Sequence, residues 1–170
     1  MLYSKPTKNA AGIIVFGDEG DLKSLLSTIR SLYDGPPFRG NSEEFLYDLA
    51  HEVDSASNGA LTIMPRGHPK PRDPACMWLI RLWPRFLMEL GMLRWAAGFH
   101  PTSKRDQSNL YSLEACTESA LNSYDPVVGR KVVAWLECFM GLPDSYLTEF
   151  INEIDARYVS ASNRGKTRFG

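Results

Sequence analysis

Pro84 is the residue that most restricts how this chain folds. It stands inside residues 76–97, a stretch whose only charges are Arg81, Arg85, Glu89 and Arg94. A proline in a helix interior removes a backbone hydrogen bond and collides with the carbonyl four residues earlier, at a cost of ~3 kcal/mol or more. At the first position of a helix the same ring is harmless, because that N–H has no intrahelical partner. The stretch therefore reads as two elements, a buried strand over Cys76 to Trp83 and a helix from Pro84 to about Phe99. The helix is apolar nearly all round, carrying Phe86, Leu87, Met88, Leu90, Met92, Leu93, Trp95, Ala96 and Ala97. A helix without a wet face lies at the centre of a fold or in an interface.

Periodicity places the other elements around this junction. Leu2-Tyr3 and the apolar run Ala10 to Phe16 read as an N-terminal hairpin, joined by the turn-prone Lys5-Pro6-Thr7-Lys8-Asn9. Asp18 offers a helix cap with Asp21 three residues on, and Leu22, Leu25, Leu26, Ile29, Leu32 and Tyr33 then recur at helical spacing until Asp34-Gly35-Pro36-Pro37. A second helix runs from Ser42 to about Ala56 on Phe45, Leu46, Leu49 and Val53, closed by Gly59; residues 60–64 read as a strand. His100-Pro101 ends the apolar helix, with His100 in a capping role, and Ser103 with Asp106 forms a capping box with Asp in place of Glu. Three further helices are marked by Leu110 to Tyr124, by Val128 to Phe139, and by a face of Leu147, Phe150, Ile151, Ile154 and Tyr158.

Early strands and late helices make an α+β fold: a small, mainly antiparallel sheet of about four strands packed against five or six helices. With 170 residues and 44% of them hydrophobic, the chain buries roughly 70% of its unfolded surface, enough for one core without disulfide or metal staples. Residues 1–160 are expected to form a single domain and 161–170 a flexible basic tail. No apolar run reaches the ~18 to 20 residues that span a bilayer, and Met1 to Pro6 lacks the apolar stretch of a secretion signal, so the expected location is the cytoplasm, away from membranes. Cys76, Cys116 and Cys138 are too far apart for a CxxC knuckle and, being an odd number, make no complete disulfide framework; they read as free, mostly buried thiols.

Two charged segments are the candidate binding residues. Arg66, His68, Lys70 and Arg72 lie among Pro65, Pro69, Pro71 and Pro74, an extended basic loop able to meet phosphate or carboxylate with little ordering entropy. It holds no aromatic on which a base would stack. Glu44, Asp48 and Glu52 form an i, i+4, i+8 acidic row on the second helix, with His51 beside it. Like charges at this spacing cost ~0.2 to 0.5 kcal/mol each, which a use would explain: a divalent cation, or a basic partner such as the Arg/Lys loop of a second copy. The specific catalytic signatures are missing, because His51-Glu52 is not followed by a second His and no GxGxxG, GxxxxGK[ST], GxSxG or SxxK occurs. Nothing in the sequence requires a metal or another cofactor.

The opening Leu2 to Gly12, followed by Gly17-Asp18 and Asp21-Leu22, resembles the start of a family of small bacterial proteins known only as a domain of unknown function, and the passage through Trp83-Pro84 is similar to that family's middle. The resemblance implies a bacterial or phage-derived cytosolic protein and brings no catalytic residues. The expected function is that of a non-enzymatic interaction protein, as found in defence or toxin-neutralising systems, binding a protein partner and forming homo-oligomers through charged surfaces. Two alternatives stand beside it. One is a nucleic-acid or nucleotide binder using residues 65–74 and the C-terminal tail, and the other is a metal-dependent hydrolase built on Asp48, His51 and Glu52.

Overall fold

In the computed structural model the strand and the helix meet at Pro84. Strand β1 (Tyr3–Pro6), strand β2 (Gly12–Gly17) and strand β3 (Met77–Leu82) precede helix α3 (Trp83–Ala97), with helices α1 (Glu19–Tyr33) and α2 (Asn41–Ser57) between β2 and β3 in the chain. Helices α4 (Lys104–Tyr124) and α5 (Pro126–Leu136) follow. The structure describes residues 1–8, 10–33, 41–59, 76–136, 152–158 and 160, the side chains of 41–45, 128, 135 and 136 excepted. The expected strand at 60–64, the basic loop, the start of the last helix, Cys138 and the tail lie outside these residues.

The described strands form one antiparallel sheet in the order β1-β2-β3. β2 is central, and its Ile13, Ile14, Val15 and Phe16 are all fully buried. Alternation sends Ile13 and Val15 to the face they share with Leu79 and the helices, and Ile14 and Phe16 to the face they share with Trp78. A strand covered on both faces shows a continuous apolar run instead of alternation, which is how this one reads. On the second face Tyr3 stacks on Phe16, ring centroids 4.8 Å apart.

The hairpin turn begins later than the sequence suggests. Lys5 and Pro6 still pair with Ile14 and Ile13, because a proline at the last strand position withholds no donor that the ladder must have. Thr7 then closes the connection: its N–H donates to the Gly12 carbonyl at 2.9 Å, and its Oγ1 accepts from the Gly12 N–H at 3.0 Å. Ala10 takes the strained positive φ of 52° in this turn.

Helix starts follow their caps. Asp18 Oδ1 accepts from the Asp21 N–H at 2.7 Å, while Asp21 Oδ2 accepts from the Asp18 N–H at 3.3 Å, a reciprocal box in front of α1. Ser103 and Asp106 form the same arrangement at α4. At α3 the cap, Leu82, is extended and gives no side-chain hydrogen bond; Pro84 in the first turn sets the helical φ instead. Gly98 is the C-cap of α3; the His100 backbone N–H donates to the Ala96 carbonyl at 3.1 Å, and its buried Nε2 finds no partner among the described residues. α3 is the central helix, burying Phe86, Leu90, Leu93 and Ala96 in the core that α1 enters with Leu22, Leu25 and Ile29 and α2 with Leu46, Leu49 and Val53. Residues 152–158 are helical, and Tyr158 ties them to the hairpin by donating its hydroxyl to the Ala10 carbonyl at 3.3 Å. Among the described residues no helix is long and apolar enough to cross a membrane.

Candidate functional site

Two places among the described residues are candidates for function. The first is a charge cluster in the core where α2, β3 and α3 meet. Arg81 lies on the β3 face that Leu79 and Met77 also turn toward the helices, and it is only 7% exposed. Its Nη1 donates to Glu52 Oε1 of α2 at 2.6 Å, and its Nη2 lies 3.2 Å from Glu89 Oε1 of α3. Arg85, one turn before Glu89, donates Nε to the same oxygen at 3.3 Å and Nη2 to Asp48. Glu89 is fully buried. Glu89 Oε2 and Arg81 Nε are left without a hydrogen-bond partner among the described residues, as is Asp155 Oδ1 on the 152–158 helix.

Burial dominates the electrostatics here. Loss of water raises Glu89 to about 7, more than the neighbouring guanidiniums of Arg81 and Arg85 lower it. Burial also raises Glu52 and Asp155, with Arg81 opposing it at both.

This cluster absorbs part of the acidic row singled out in the sequence. Asp48 and Glu52 each give an oxygen to an arginine of the same chain, His51 is exposed beside them, and the side chain of Glu44 lies outside the described residues. Among the described residues no three His, Cys, Asp or Glu side chains are grouped so as to hold a metal ion. Arg66, His68, Lys70 and Arg72 are also outside the described residues. Arg81 and Glu89 were not singled out as candidate residues by sequence reasoning, although a signal exists. Arg81 is the one charge in an apolar strand and Glu89 the one acid in a helix whose other charges are Arg85 and Arg94.

The second place is a groove of about 710 Å³ between β1 and the outer side of α4. Tyr3 and Ser4 form one wall; Gln107, Ser108, Tyr111 and Ser112 form the other, with Lys104 and Thr102 at the α4 N-terminus. Ser4 fixes the two walls together by donating its hydroxyl to the Cys116 carbonyl at 2.5 Å. Tyr111 is exposed, and Arg94 of α3 stacks over its ring 4.8 Å from the centroid. Arg94 is itself held by Glu114 at 2.6 Å. Cys116 also lines the groove, but burial pushes its thiol up to about 11. A thiol held that high is almost wholly protonated near neutral pH and makes a poor nucleophile.

Fold and sites together define a helix-rich α+β protein with an ionic cluster in its core and an open, hydroxyl-lined groove. The chain belongs to the family described as domain of unknown function DUF6904, whose profile matches residues 2–169. Comparison with curated proteins and with solved structures gives no match.

Proposed function

We propose that this chain is a non-enzymatic interaction protein that holds a segment of a protein partner in the groove between β1 and α4. The observation that carries this reading is the groove's lining, in which two tyrosines, Tyr3 and Tyr111, stand among the hydroxyls of Ser4, Ser108, Ser112 and Thr102. Tyrosine brings a large amphipathic contact with few rotatable bonds, and serine brings adaptable hydrogen bonding; protein-binding loops rely on the same pair. The volume lies in the range of ~300 to 1,000 Å³ usual for binding clefts. The one thiol of the lining, Cys116, is protonated at neutral pH, which favours binding over reaction.

The charged surfaces are secondary in this reading. Asp48 and Glu52 are engaged by Arg85 and Arg81, so the acidic row reaches a partner with only part of its charge unneutralised.

A photo-crosslinking amino acid placed at Ser112, in the cells that encode the protein, tests the proposal against a control at exposed Glu118 on the same helix. The expected result is a crosslink to a single protein from position 112 alone. With that partner purified, Tyr111→Ala should weaken binding about tenfold or more, the effect of removing a tyrosine anchor. Crosslinks that are identical from both positions, or binding indifferent to Tyr111, would overturn it.

A further inference from the structure

We propose that Glu89 is a proton-operated latch, which in its neutral form lets Arg81 and Arg85 hold α2 against the sheet and in its ionised form competes with α2 for both arginines. The argument rests first on a charge count. Among the described residues two guanidiniums, Arg81 and Arg85, form ion pairs with three carboxylates, Asp48, Glu52 and Glu89, and a fourth, Asp155, faces them. Carboxylates are therefore in excess among the described residues, and an uncompensated charge is most costly at the position furthest from water. That position is Glu89, since Asp48 and Glu52 both reach solvent and Glu89 does not.

Geometry supplies the second step. The two arginines that approach Glu89 are the same two that bind α2, through Glu52 and Asp48, so neutralising Glu89 concentrates their attraction on α2. Ionising it divides each arginine between two carboxylates. Among the described residues the groups acting on Glu89 are Arg81 from β3, Arg85 from its own helix and Glu52 from α2. Asp48 and His51 of α2 stand behind Arg85 and Glu52, and Asp155 of the 152–158 helix faces both arginines and adds further negative charge. The α1 and β2 side chains in this core are Leu22, Leu25, Ile29, Ile13 and Val15, which supply no counter-charge. Burial raises Glu89 to about 7, in the direction that the charge count requires.

The latch is independent of the groove and is tested on the full chain without a partner. Carboxyl carbon NMR should show one glutamate titrating near neutrality, absent from Glu89→Gln. Amide exchange in α2, corrected for its intrinsic pH dependence, should show local opening that rises several-fold between pH 6 and 8 in the parent protein and stays flat in Glu89→Gln. Should Glu89→Gln not fold, Glu52→Gln gives a second reading. With one fewer carboxylate the excess shrinks, and the Glu89 midpoint should fall by about one pH unit, the size expected for loss of a nearby like charge. A Glu89 midpoint in the ordinary carboxylate range, an unmoved midpoint in Glu52→Gln, or α2 opening that ignores pH would overturn the proposal.

Discussion

The α-carbon of Gly12 faces the carbonyl of Arg81 so closely that a Cβ built on it would lie 2.0 Å from the carbonyl oxygen and 2.9 Å from its carbon. The contact is backbone to side-chain position, so no rotamer change relieves it. Gly12 is paired with Leu82 in the ladder, and the next residue, Trp83, donates its N–H to the Ala11 carbonyl at 3.2 Å. The end of β2 is thus pinned where β3 becomes α3. Gly12→Ala should force the strands apart and cost roughly 3 kcal/mol, at the upper end for overpacking. Chemical denaturation checks this, with Gly20→Ala as a control, since its added Cβ meets nothing closer than 3.2 Å.

That junction also shows what could be read from the sequence and what could not. Pro84 and the run Ile13 to Phe16 announce themselves locally, because proline chemistry and the loss of alternation are properties of neighbouring residues. Ser103 and Asp106 are legible for the same reason. The destination of a charge is not a local property. Glu44, Asp48 and Glu52 stand out as a row, but the arginines that answer Glu52 and Asp48 lie 29 and 37 residues further along. The groove is more distant still: its walls are joined by a bond between Ser4 and Cys116, which are 112 residues apart. The hairpin turn starts later than the sequence implies because Pro6 signals a turn in isolation, whereas pairing with Ile13 draws it into the strand.

The α4 cap links two helices as well as starting one. Ser103 Oγ accepts from the Asp106 N–H, and Asp106 Oδ1 accepts the hydroxyl of Thr28 from α1 at 2.8 Å. Ser103→Ala should cost about 1 kcal/mol, as loss of a helix cap does. The Ser103 hydroxyl, donating to the Asp106 carboxylate, holds that carboxyl below its ordinary 3.8. A depressed folded-state value contributes stability that is present above the ordinary value and lost as pH falls through the folded one. Asp106→Asn should accordingly remain folded with a shallower loss of stability below pH ~4 than the parent, read from thermal unfolding at several pH values.

Cys116 should be nearly inert in the folded protein. With its thiol raised to about 11, the thiolate fraction at neutral pH falls far below that of an ordinary cysteine. In a variant with Cys76 and Cys138 changed to Ser, alkylation by iodoacetamide at pH 7.5 should run roughly 300-fold slower than for the same chain in denaturant, where the thiol has its ordinary pKa of ~8.5. Mass spectrometry follows the reaction directly. Equal rates would show that Cys116 reaches solvent freely, and the wall of the groove would then need to be redrawn.

Reversing the acidic row tests binding only if the fold tolerates it, and at Glu52 it should not. Glu52 Oε1 lies 2.6 Å from Arg81 Nη1, and Arg81 has almost no access to water. Glu52→Lys therefore sets a second cation against a buried guanidinium and leaves Glu89 as its remaining carboxylate partner among the described residues. Removing one partner of a buried ion pair typically costs ~3 to 5 kcal/mol because the other charge stays buried. Half-exposed Glu52 lets solvent screen part of this, so roughly 2 to 3 kcal/mol is expected, measured by urea denaturation. Glu118→Lys, an exposed change on α4, should move the midpoint by less than ~0.5 kcal/mol. If Glu52→Lys matches Glu118→Lys, the Arg81 contact contributes nothing to stability and the ionic cluster does not hold α2 in place.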